Sequence, residues 1–295
     1  MELLSEEMMT YAAPSSVEAV VTLLAGDDGA KILAGGQSLL VFVRQGLISP
    51  STIVGLRQVP ELQRLEASDD GGLIIGAMVT QRDIANSPEI GARFASLAEA
   101  ASKVASPPVR NQGTIGGNLC HADPTGDPPA ALIALGAEVE IASPSGRRRI
   151  PIEALFADYM ETVLESDELL TAIHLPPPAE RSGSAYEKHR IRGVDTAVVG
   201  AAVALNLAAD GETIADARIG LAGAAVTPLR MEEAEAVLRG AKATADVLEN
   251  AAAVASATCS PLDDTEGSEW YRREMVRVFV RRAAERALAR AMKGA

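Results

Sequence analysis

The stretch from residue 109 to residue 132, VRNQGTIGGNLCHADPTGDPPAAL, constrains the fold of this chain more than any other segment. It combines several glycines and prolines with an arginine, a thiol, a histidine and two acids. Such a sequence is too irregular for one plain helix or strand, and it predicts an irregular loop. Loops of this composition are usually ordered with the help of a ligand or a partner, so the stretch is a candidate functional segment.

The hydrophobic pattern before this stretch predicts a small βαβ-like unit near the N-terminus. Its helix begins after Ser15, which is predicted as the N-cap with Glu18 completing a capping box, and it ends near Gly26. Short apolar strands follow at 30–36 and 51–56. This part of the chain therefore predicts an α/β body.

The rest of the chain divides at three consecutive prolines, residues 176–178. The predicted elements before them are a strand at 71–80, helices at 90–105 and 130–135, and strands at 138–142, 148–152 and 168–175. The predicted elements after them are strands at 184–191, 196–208 and 214–224, and helices at 230–239, 243–257 and 268–292. The region after the prolines therefore predicts an α+β domain.

Composition excludes several classes of protein. The net charge of −13 and the pI near 4.8 argue against nucleic acid or an anionic membrane surface as the main partner. No apolar run approaches the ~18 residues of a membrane span, and the acidic segment MELLSEEMMTYAAP lacks the features of a signal peptide. Two cysteines, Cys120 and Cys259, are too few for an iron–sulfur cluster or a disulfide framework, and they predict reduced thiols in a cytoplasmic protein.

No metal site is expected. Cys120, His121, Asp123 and Asp127 form one small group of ligand-type residues, but no second group with zinc or calcium spacing accompanies them.

Two glycine turns, Ala34–Ser38 and Thr114–Asn118, each follow an apolar segment. Paired glycines let the backbone approach an anion closely and turn successive N–H groups towards it, while Ser38, Thr114 and Asn118 add neutral donors. Neither turn matches the GxGxxG or GxxxxGK[ST] phosphate motifs. Each turn alone could be a tight structural turn, but the pair predicts a dinucleotide site outside the Rossmann class.

Three segments together resemble one family: AGGQSLL at 34–40, SPPVRNQGTIGGNLCHADPTGDPPAAL at 106–132 and YEKHRIRGVDTAVVGAAVAL at 186–205. They are similar, in the same order, to the FAD-binding medium subunits of the molybdenum hydroxylases (the carbon monoxide dehydrogenase and xanthine dehydrogenase type). The resemblance implies an α+β chain. It would contain a two-subdomain FAD-binding fold of the PCMH/vanillyl-alcohol-oxidase-like type (1–58 and 59–178) and a C-terminal α+β domain (179–295) with a three-stranded antiparallel sheet and three helices.

The resemblance also implies which residues bind FAD. The first loop would cradle the pyrophosphate and comprises Ile32, Leu33, Ala34, Gly35, Gly36, Gln37, Ser38 and Leu39. The second loop would clamp it from the other side and comprises Thr114, Ile115, Gly116, Gly117 and Asn118. Some flavoproteins attach FAD through a histidine near the first loop, but Gln37 stands there, so non-covalent binding is expected.

Five further positions are implied to contact the cofactor. Val104, where some relatives have an aromatic residue, and Ala105 match residues that lie against the isoalloxazine, and Leu170 would line the same pocket. Asp127 matches an acid whose sensible role is to accept a hydrogen bond from a ribityl or ribose hydroxyl. Lys188 matches a lysine near the pyrimidine edge, where a cation would raise the flavin potential. From the residues alone, Val104 and Leu170 lie on core-like apolar faces and would be buried without a ligand, and Lys188 could be a solvated strand residue.

The family's activity gives the chain an implied role as an oxidoreductase subunit for electron transfer. Substrate would be oxidised at a molybdenum cofactor on a large subunit, and electrons would pass through [2Fe–2S] clusters on a small subunit to FAD and then to an external acceptor. The assembly would be a heterotrimer that dimerises. Two alternatives remain: a self-sufficient FAD-dependent oxidoreductase, and a flavin-free assembly scaffold. The arginine-rich helix between Arg272 and Arg290 predicts a solvated basic face or a contact for an acidic partner.

Overall fold

The first part of the fold is a three-stranded parallel sheet in the order β1–β3–β2. The computed structural model describes residues 9–294, so residues 1–8 of the N-terminal segment considered above lie outside the described part. The elements here are β1 (Thr10–Ala12), α1 (Val17–Ala25), β2 (Lys31–Leu33), α2 (Leu39–Arg44) and β3 (Thr52–Gly55). The predicted helix and the two strands after it are present, and β1 is an addition too short to show an apolar pattern.

The N-cap of α1 is Ser16 and not Ser15, which corrects the sequence prediction. Ser16 has an extended backbone, and its hydroxyl accepts a hydrogen bond from the N–H of Ala19 at 3.2 Å. With the cap at Ser16, Glu18 lies one position too early to close a capping box. Adjacent serines can both cap a helix, and the sequence alone does not distinguish them.

The second part is a five-stranded antiparallel sheet in the order β4–β5–β10–β6–β7. Its strands are β4 (Leu65–Ala67), β5 (Leu73–Gly76), β6 (Glu138–Ser143), β7 (Gly146–Pro151) and β10 (Leu169–Leu175). A separate hairpin consists of β8 (Phe156–Asp158) and β9 (Glu161–Thr162). The four strands predicted for this region are present, and β4 joins them at one edge.

Six helices accompany this sheet in the described part of the chain. They are α3 (Gln81–Asn86), α4 (Pro88–Arg93), α5 (Ala95–Lys103), α6 (Pro107–Gln112), α7 (Ile115–His121) and α8 (Asp127–Ala134). The single helix predicted over 90–105 is wrong. The backbone leaves the helical conformation at Phe94 (φ −131°, ψ 51°), whose side chain is buried in the core. Burial of this ring therefore takes precedence over a continuous helix.

The irregular loop predicted over 109–132 is also wrong in part, because this stretch contains α7 and most of α6 and α8. Prolines stand in the first turns of α6 and α8, where the missing proline N–H would have no helical acceptor in any case. A left-handed residue, Ala122 (φ 51°), ends α7. The glycines and prolines therefore mark the ends of short helices.

The third part is an antiparallel sheet in the order β11–β12–β13–β14 covered by helices. Its elements are β11 (Ser182–His189), β12 (Val199–Leu207), β13 (Ile214–Ala222), β14 (Leu229–Arg230), α9 (Glu232–Leu238), α10 (Ala245–Thr258) and α11 (Glu269–Ala291). The three predicted strands and three helices are present. The sheet has four strands and not three, because the two-residue strand β14 pairs with β13. The predicted α+β class is confirmed.

Two helices of the middle part, α5 and α8, pack against the C-terminal sheet. Helix α8 is buried along its whole length, and it approaches β13 so closely that a Cβ on Gly220 would overlap the carbonyl oxygen of Ala130. Helix α5 packs on β11, on which α11 also lies. Side chains at the ends of α5 and α8 therefore meet side chains of β11. Within residues 9–294, no helix is long and apolar enough to cross a membrane.

Candidate cofactor-binding site

The two predicted glycine loops lie against each other. Gly35, just after β2, rests on the main chain that leads into α7: a Cβ on Gly35 would lie 2.9 Å from the Cα of Gly113 and would overlap the carbonyl oxygen of Gln112. A Cβ on Gly117 would lie 3.5 Å from the Cβ of Ala34. Residues more than 70 positions apart in the sequence therefore form one continuous surface, as a two-sided clamp requires.

The first loop has main-chain donors that are not used within the described chain. The N–H groups of Gly35, Gly36, Gln37 and Ser38 donate to no acceptor among residues 9–294. Gly36 has a left-handed backbone (φ 73°) that a side chain would strain. Unpaired N–H groups in successive residues around a left-handed turn are typical of an anion-binding concavity.

The second loop offers mainly side chains, because the N–H groups of residues 115–118 are already used. The N–H groups of Ile115 and Gly116 donate to carbonyl oxygens of the segment after β5, each at 2.9 Å. Gly117 donates to the hydroxyl of Thr114, the N-cap of α7, at 3.2 Å. The side-chain oxygen of Asn118, in contrast, is buried and has no hydrogen-bond partner among residues 9–294. This amide therefore fits a polar group of a bound molecule, and the residues present fit a dinucleotide.

Asp127 and Lys188 form a buried ion pair where α8 meets β11. Lys188 Nζ lies 2.8 Å from Asp127 Oδ2, and the two side chains are 1% and 5% exposed. The hydroxyl of Tyr186 donates to Asp127 Oδ1 at 2.5 Å, and Lys188 also donates to the carbonyl oxygen of Lys103 at 3.1 Å. Lys188 is therefore not a solvated strand residue.

Asp127 and Lys188 are two groups of opposite charge that are buried together. Burial raises the pKa of the Asp127 carboxyl, while the ammonium of Lys188 and the hydroxyl of Tyr186 oppose that rise. Burial and the neighbouring carboxylate also raise the pKa of Tyr186 well above its ordinary value, so this phenol stays protonated. Because Asp127 lies so close, any electrostatic effect of Lys188 on a nearby group is that of a neutral pair.

The predicted apolar contact residues lie in two different settings. Val104 and Ala105 are half-buried and form the turn between α5 and α6, in which Ala105 is left-handed (φ 37°). Leu170 is a buried core residue of β10, beside the irregularity at 170–172 in the pairing with β6. The turn is thus accessible to a ligand, whereas Leu170 belongs to the same apolar core as Ile115.

Two further residues of this region, Tyr186 and Arg110, are not indicated by the sequence patterns described above. Tyr186 stands two positions before Lys188 and so shares its face of β11, a strand periodicity that could have indicated it. Arg110 is the only cation of the loop motif at 106–132, and its guanidinium reaches back to the turn at Val104.

The arginines of α11 are mostly engaged within the chain. Six of the seven between Arg272 and Arg290 have a carboxylate within 4.0 Å; the pairs are Arg272–Asp264, Arg273–Glu269, Arg277–Glu249, Arg281–Glu249, Arg286–Glu99 and Arg290–Glu99. The last two connect α11 to α5. The basic pattern of this helix therefore serves internal ion pairs.

Ligand-type side chains near α7 do not gather into a metal site. Asp123 accepts hydrogen bonds from the N–H and hydroxyl of Thr125, and Asp127 is held by Lys188. Across the part of the chain that the structure describes, no group of three or more His, Cys, Asp and Glu side chains could hold a metal ion.

Comparisons with known proteins agree with this geometry. Residues 7–178 match the FAD binding domain in molybdopterin dehydrogenase, and residues 184–287 match the CO dehydrogenase flavoprotein C-terminal domain. The carbon monoxide dehydrogenase medium chain of Hydrogenophaga pseudoflava is 38% identical over 95% of this chain and 97% of its own. The nicotine 6-hydroxylase medium subunit of Paenarthrobacter nicotinovorans is 37% identical over 95% of this chain and 97% of its own.

A solved structure of the Hydrogenophaga pseudoflava carbon monoxide dehydrogenase superposes with a TM-score of 0.91 at 38% identity, covering 96% of this chain and 98% of that one. The similarity extends over both matched regions and nearly the full length of each relative. The resemblance inferred from the three sequence segments is thereby confirmed, and the chain is a subunit of an oxidoreductase. It belongs to the family of FAD-binding medium subunits of the molybdenum hydroxylases.

Proposed function

We propose that this chain binds one FAD non-covalently and carries electrons within a multi-subunit molybdenum hydroxylase. They would arrive from the iron–sulfur clusters of a partner subunit and leave to an external acceptor. The observation that carries the proposal is the row of four N–H groups at Gly35–Ser38 that donate to no acceptor within residues 9–294 and lie against the second glycine loop. Main-chain donors of this kind bind a diphosphate without lysine, which suits an acidic chain.

We assign FAD binding to the residues that the resemblance indicated. They are Ile32, Leu33, Ala34, Gly35, Gly36, Gln37, Ser38 and Leu39 of the first loop, Thr114, Ile115, Gly116, Gly117 and Asn118 of the second, and Val104, Ala105, Leu170, Asp127 and Lys188. Bound FAD would supply two-electron storage and release. Each oxygen of Asp127 keeps a lone pair beyond its present hydrogen bond, so contact with a cofactor hydroxyl stays a prediction.

We also propose that the chain is organised as 1–58, 59–178 and 179–295. The support is that each of the three sheets lies within one of these ranges. Three apolar clusters accompany the three sheets, although the first and second each include a few residues from a neighbouring range.

The partners of the proposal are a small subunit with [2Fe–2S] clusters and a large subunit with the molybdenum cofactor. The names of the relatives as medium chains or medium subunits support a heterotrimer, which we expect to dimerise. Cys120 and Cys259 are both free thiols, as expected in the reducing cytoplasm, and we propose that compartment.

The isolated chain is expected to purify yellow and to turn over no organic substrate. Two open clefts, of about 620 and 550 Å³, are lined by none of the assigned FAD residues, so a molecule bound in either would lie apart from the flavin. The test is a screen of aldehydes, purines, N-heterocycles and carbon monoxide on the isolated chain and on the chain assembled with its partners. Turnover should require the assembly. Metal-independent turnover by the isolated chain would favour the self-sufficient oxidoreductase, and a colourless chain that binds no added FAD would favour the scaffold.

All of the flavin is expected to leave the chain when the protein is denatured with acid. Gln37 occupies the first loop, and its amide nitrogen donates to the carbonyl oxygen of Gly35 at 3.2 Å and is not a nucleophile. The measurement is the absorbance of the supernatant and of the washed precipitate after acid treatment, with free FAD added to unrelated protein as the control. Yellow colour that stays with the precipitate would contradict non-covalent binding.

A further inference from the structure

The turn between α5 and α6 adopts a conformation that its sequence does not favour. Ala105 has a left-handed backbone (φ 37°), and Cβ of an alanine is crowded there in a way that a glycine is not. Such a residue persists only where surrounding interactions hold it. The same turn carries Val104, which with Ala105 is assigned to contact the flavin.

Arg110 supplies the interactions that hold this turn. One guanidinium nitrogen, Nη1, donates to the carbonyl oxygen of Val104 at 2.7 Å and to that of Ala105 at 2.9 Å. Both carbonyl groups are therefore aimed at one point on α6. Hydrogen bonds from a charged donor are stronger than those between neutral groups, so this contact is able to stabilise a strained turn.

The other side of the turn is fixed independently. Lys103, the last residue of α5, donates from Nζ to the carbonyl oxygen of Tyr186 at 2.9 Å, and its own carbonyl oxygen accepts from Lys188 at 3.1 Å. The end of α5 is thus attached to β11. The hydrogen bonds of Arg110 hold the part of the turn that follows α5.

Arg110 also differs from Lys188 in its charge environment. Among residues 9–294, no carboxylate lies within 4.0 Å of the Arg110 guanidinium, whereas Lys188 is neutralised by Asp127. Both hydrogen bonds of Arg110 go to main-chain oxygens. Its positive charge therefore remains uncompensated beside the turn, and its contacts serve the turn alone.

We propose that Arg110 is a positioning residue that holds Val104 and Ala105 in the left-handed turn and so shapes the surface presented to the flavin. This inference rests on the proposed function, because it concerns the residues assigned to the isoalloxazine. It predicts that the effect of losing Arg110 depends on whether residue 105 can adopt the left-handed conformation without strain.

The experiment compares Arg110→Met, Arg110→Lys, Ala105→Gly and the double variant Arg110→Met/Ala105→Gly in the full-length chain. The dissociation constant of FAD is measured by titrating each apo chain, together with the absorption spectrum of the bound flavin. Arg110→Met is expected to weaken binding by about tenfold or more and to shift the spectrum, since a charge-assisted contact is lost. Arg110→Lys should lose less, because it keeps the charge and a donor.

The double variant carries the specific test. Glycine adopts the left-handed turn without strain, so Ala105→Gly should restore most of the affinity and the spectrum in the Arg110→Met background. Arg82→Met is the control, because Arg82 is an exposed arginine of α3 and its loss should leave FAD binding unchanged. Circular dichroism and thermal unfolding of each apo chain separate loss of fold from loss of binding.

The outcomes distinguish this inference from the proposed function. Failure of the wild-type chain to bind FAD would overturn the proposed function before any variant is compared. If the wild-type chain binds FAD, unchanged affinity and spectrum in Arg110→Met, or no recovery in the double variant, would overturn the role of Arg110. Should Arg110→Met not fold, the pair Arg110→Lys and Arg110→Lys/Ala105→Gly answers the same question.

Discussion

Replacing Gly35 by alanine is expected to weaken FAD binding by up to about two orders of magnitude. A Cβ at this position would lie 2.8 Å from the carbonyl carbon of Gln112 and 2.9 Å from the Cα of Gly113, and it would overlap the Gln112 oxygen. All three atoms belong to the main chain, so no side-chain rotation relieves the overlap. The two glycine loops would have to separate, and overpacking of this kind costs ~1–3 kcal/mol, or up to about two orders of magnitude in affinity.

A matched control for this variant is Gly91→Ala. Gly91 lies within α4, and a Cβ there would meet no atom of residues 9–294 within 4 Å beyond its chain neighbours and the backbone of its own helix. Alanine should keep FAD binding unchanged and raise the stability of the chain by roughly 0.5–1 kcal/mol, as expected in a helix. Affinity is measured by FAD titration of both apo chains, and stability by thermal unfolding. If Gly35→Ala kept wild-type affinity while unfolding at a lower temperature, the loop contact would be structural only.

The sequence indicates the positions of the two glycine loops better than it indicates which of their polar groups are free to bind a ligand. Paired glycines after apolar segments marked both loops, because that pattern is local. The local sequence does not indicate which N–H groups remain unused. The N–H of Gly116 donates to the carbonyl oxygen of Ala77, and that of Gly117 donates to the hydroxyl of Thr114, the N-cap of its helix. The second loop is therefore proposed to bind through side chains such as Asn118, and only the packing of α7 against the segment after β5 shows that its N–H groups are already engaged.

The errors in the predicted elements have a similar origin. Helical spacing continues through Phe94, but the backbone breaks there because the ring is buried in the core. The glycines and prolines between 109 and 132 predict a loop, although prolines in the first turns of α6 and α8 are compatible with helices. Long-range packing determines the break in the helix at Phe94. The position of each proline within its helix determines whether a helix can form in 109–132.

The buried pair of Asp127 and Lys188 is beyond sequence reasoning for the same reason. The two residues are separated by 61 positions, and only the packing of α8 on the C-terminal sheet brings them to 2.8 Å. The resemblance indicated each residue separately as a cofactor contact, but not that they neutralise each other. Because the two residues are paired, a substitution at either position is expected to change the stability of the chain.

Lys188→Met is expected to destabilise the chain by about 3–5 kcal/mol at neutral pH, because it leaves the Asp127 carboxylate buried without its partner. Burial already raises the pKa of Asp127 above its ordinary 3.8, and removing the ammonium removes the main opposing influence. When the pKa of a carboxyl is higher in the folded than in the unfolded chain, the folded chain loses stability as the pH rises towards the pKa of the folded state. The variant should therefore regain stability relative to the wild type as the pH falls towards 3.8, when Asp127 takes up a proton.

The double variant Asp127→Asn/Lys188→Met separates the interaction energy of the two side chains from the energy of their contacts with the surrounding residues. Asparagine can still accept from Tyr186 and leaves no buried charge, so the double variant should be more stable than the sum of the two single substitutions predicts, by about 2–3 kcal/mol. Stability is measured as the free energy of unfolding in urea. The matched control is the exposed pair Lys242 and Glu212, also 2.8 Å apart but 70% and 67% exposed, whose coupling in the same cycle should stay below about 1 kcal/mol. Equal coupling in the two cycles, or a Lys188→Met chain whose loss of stability is the same at all pH values, would show that Asp127 and Lys188 are solvated and do not form the buried pair.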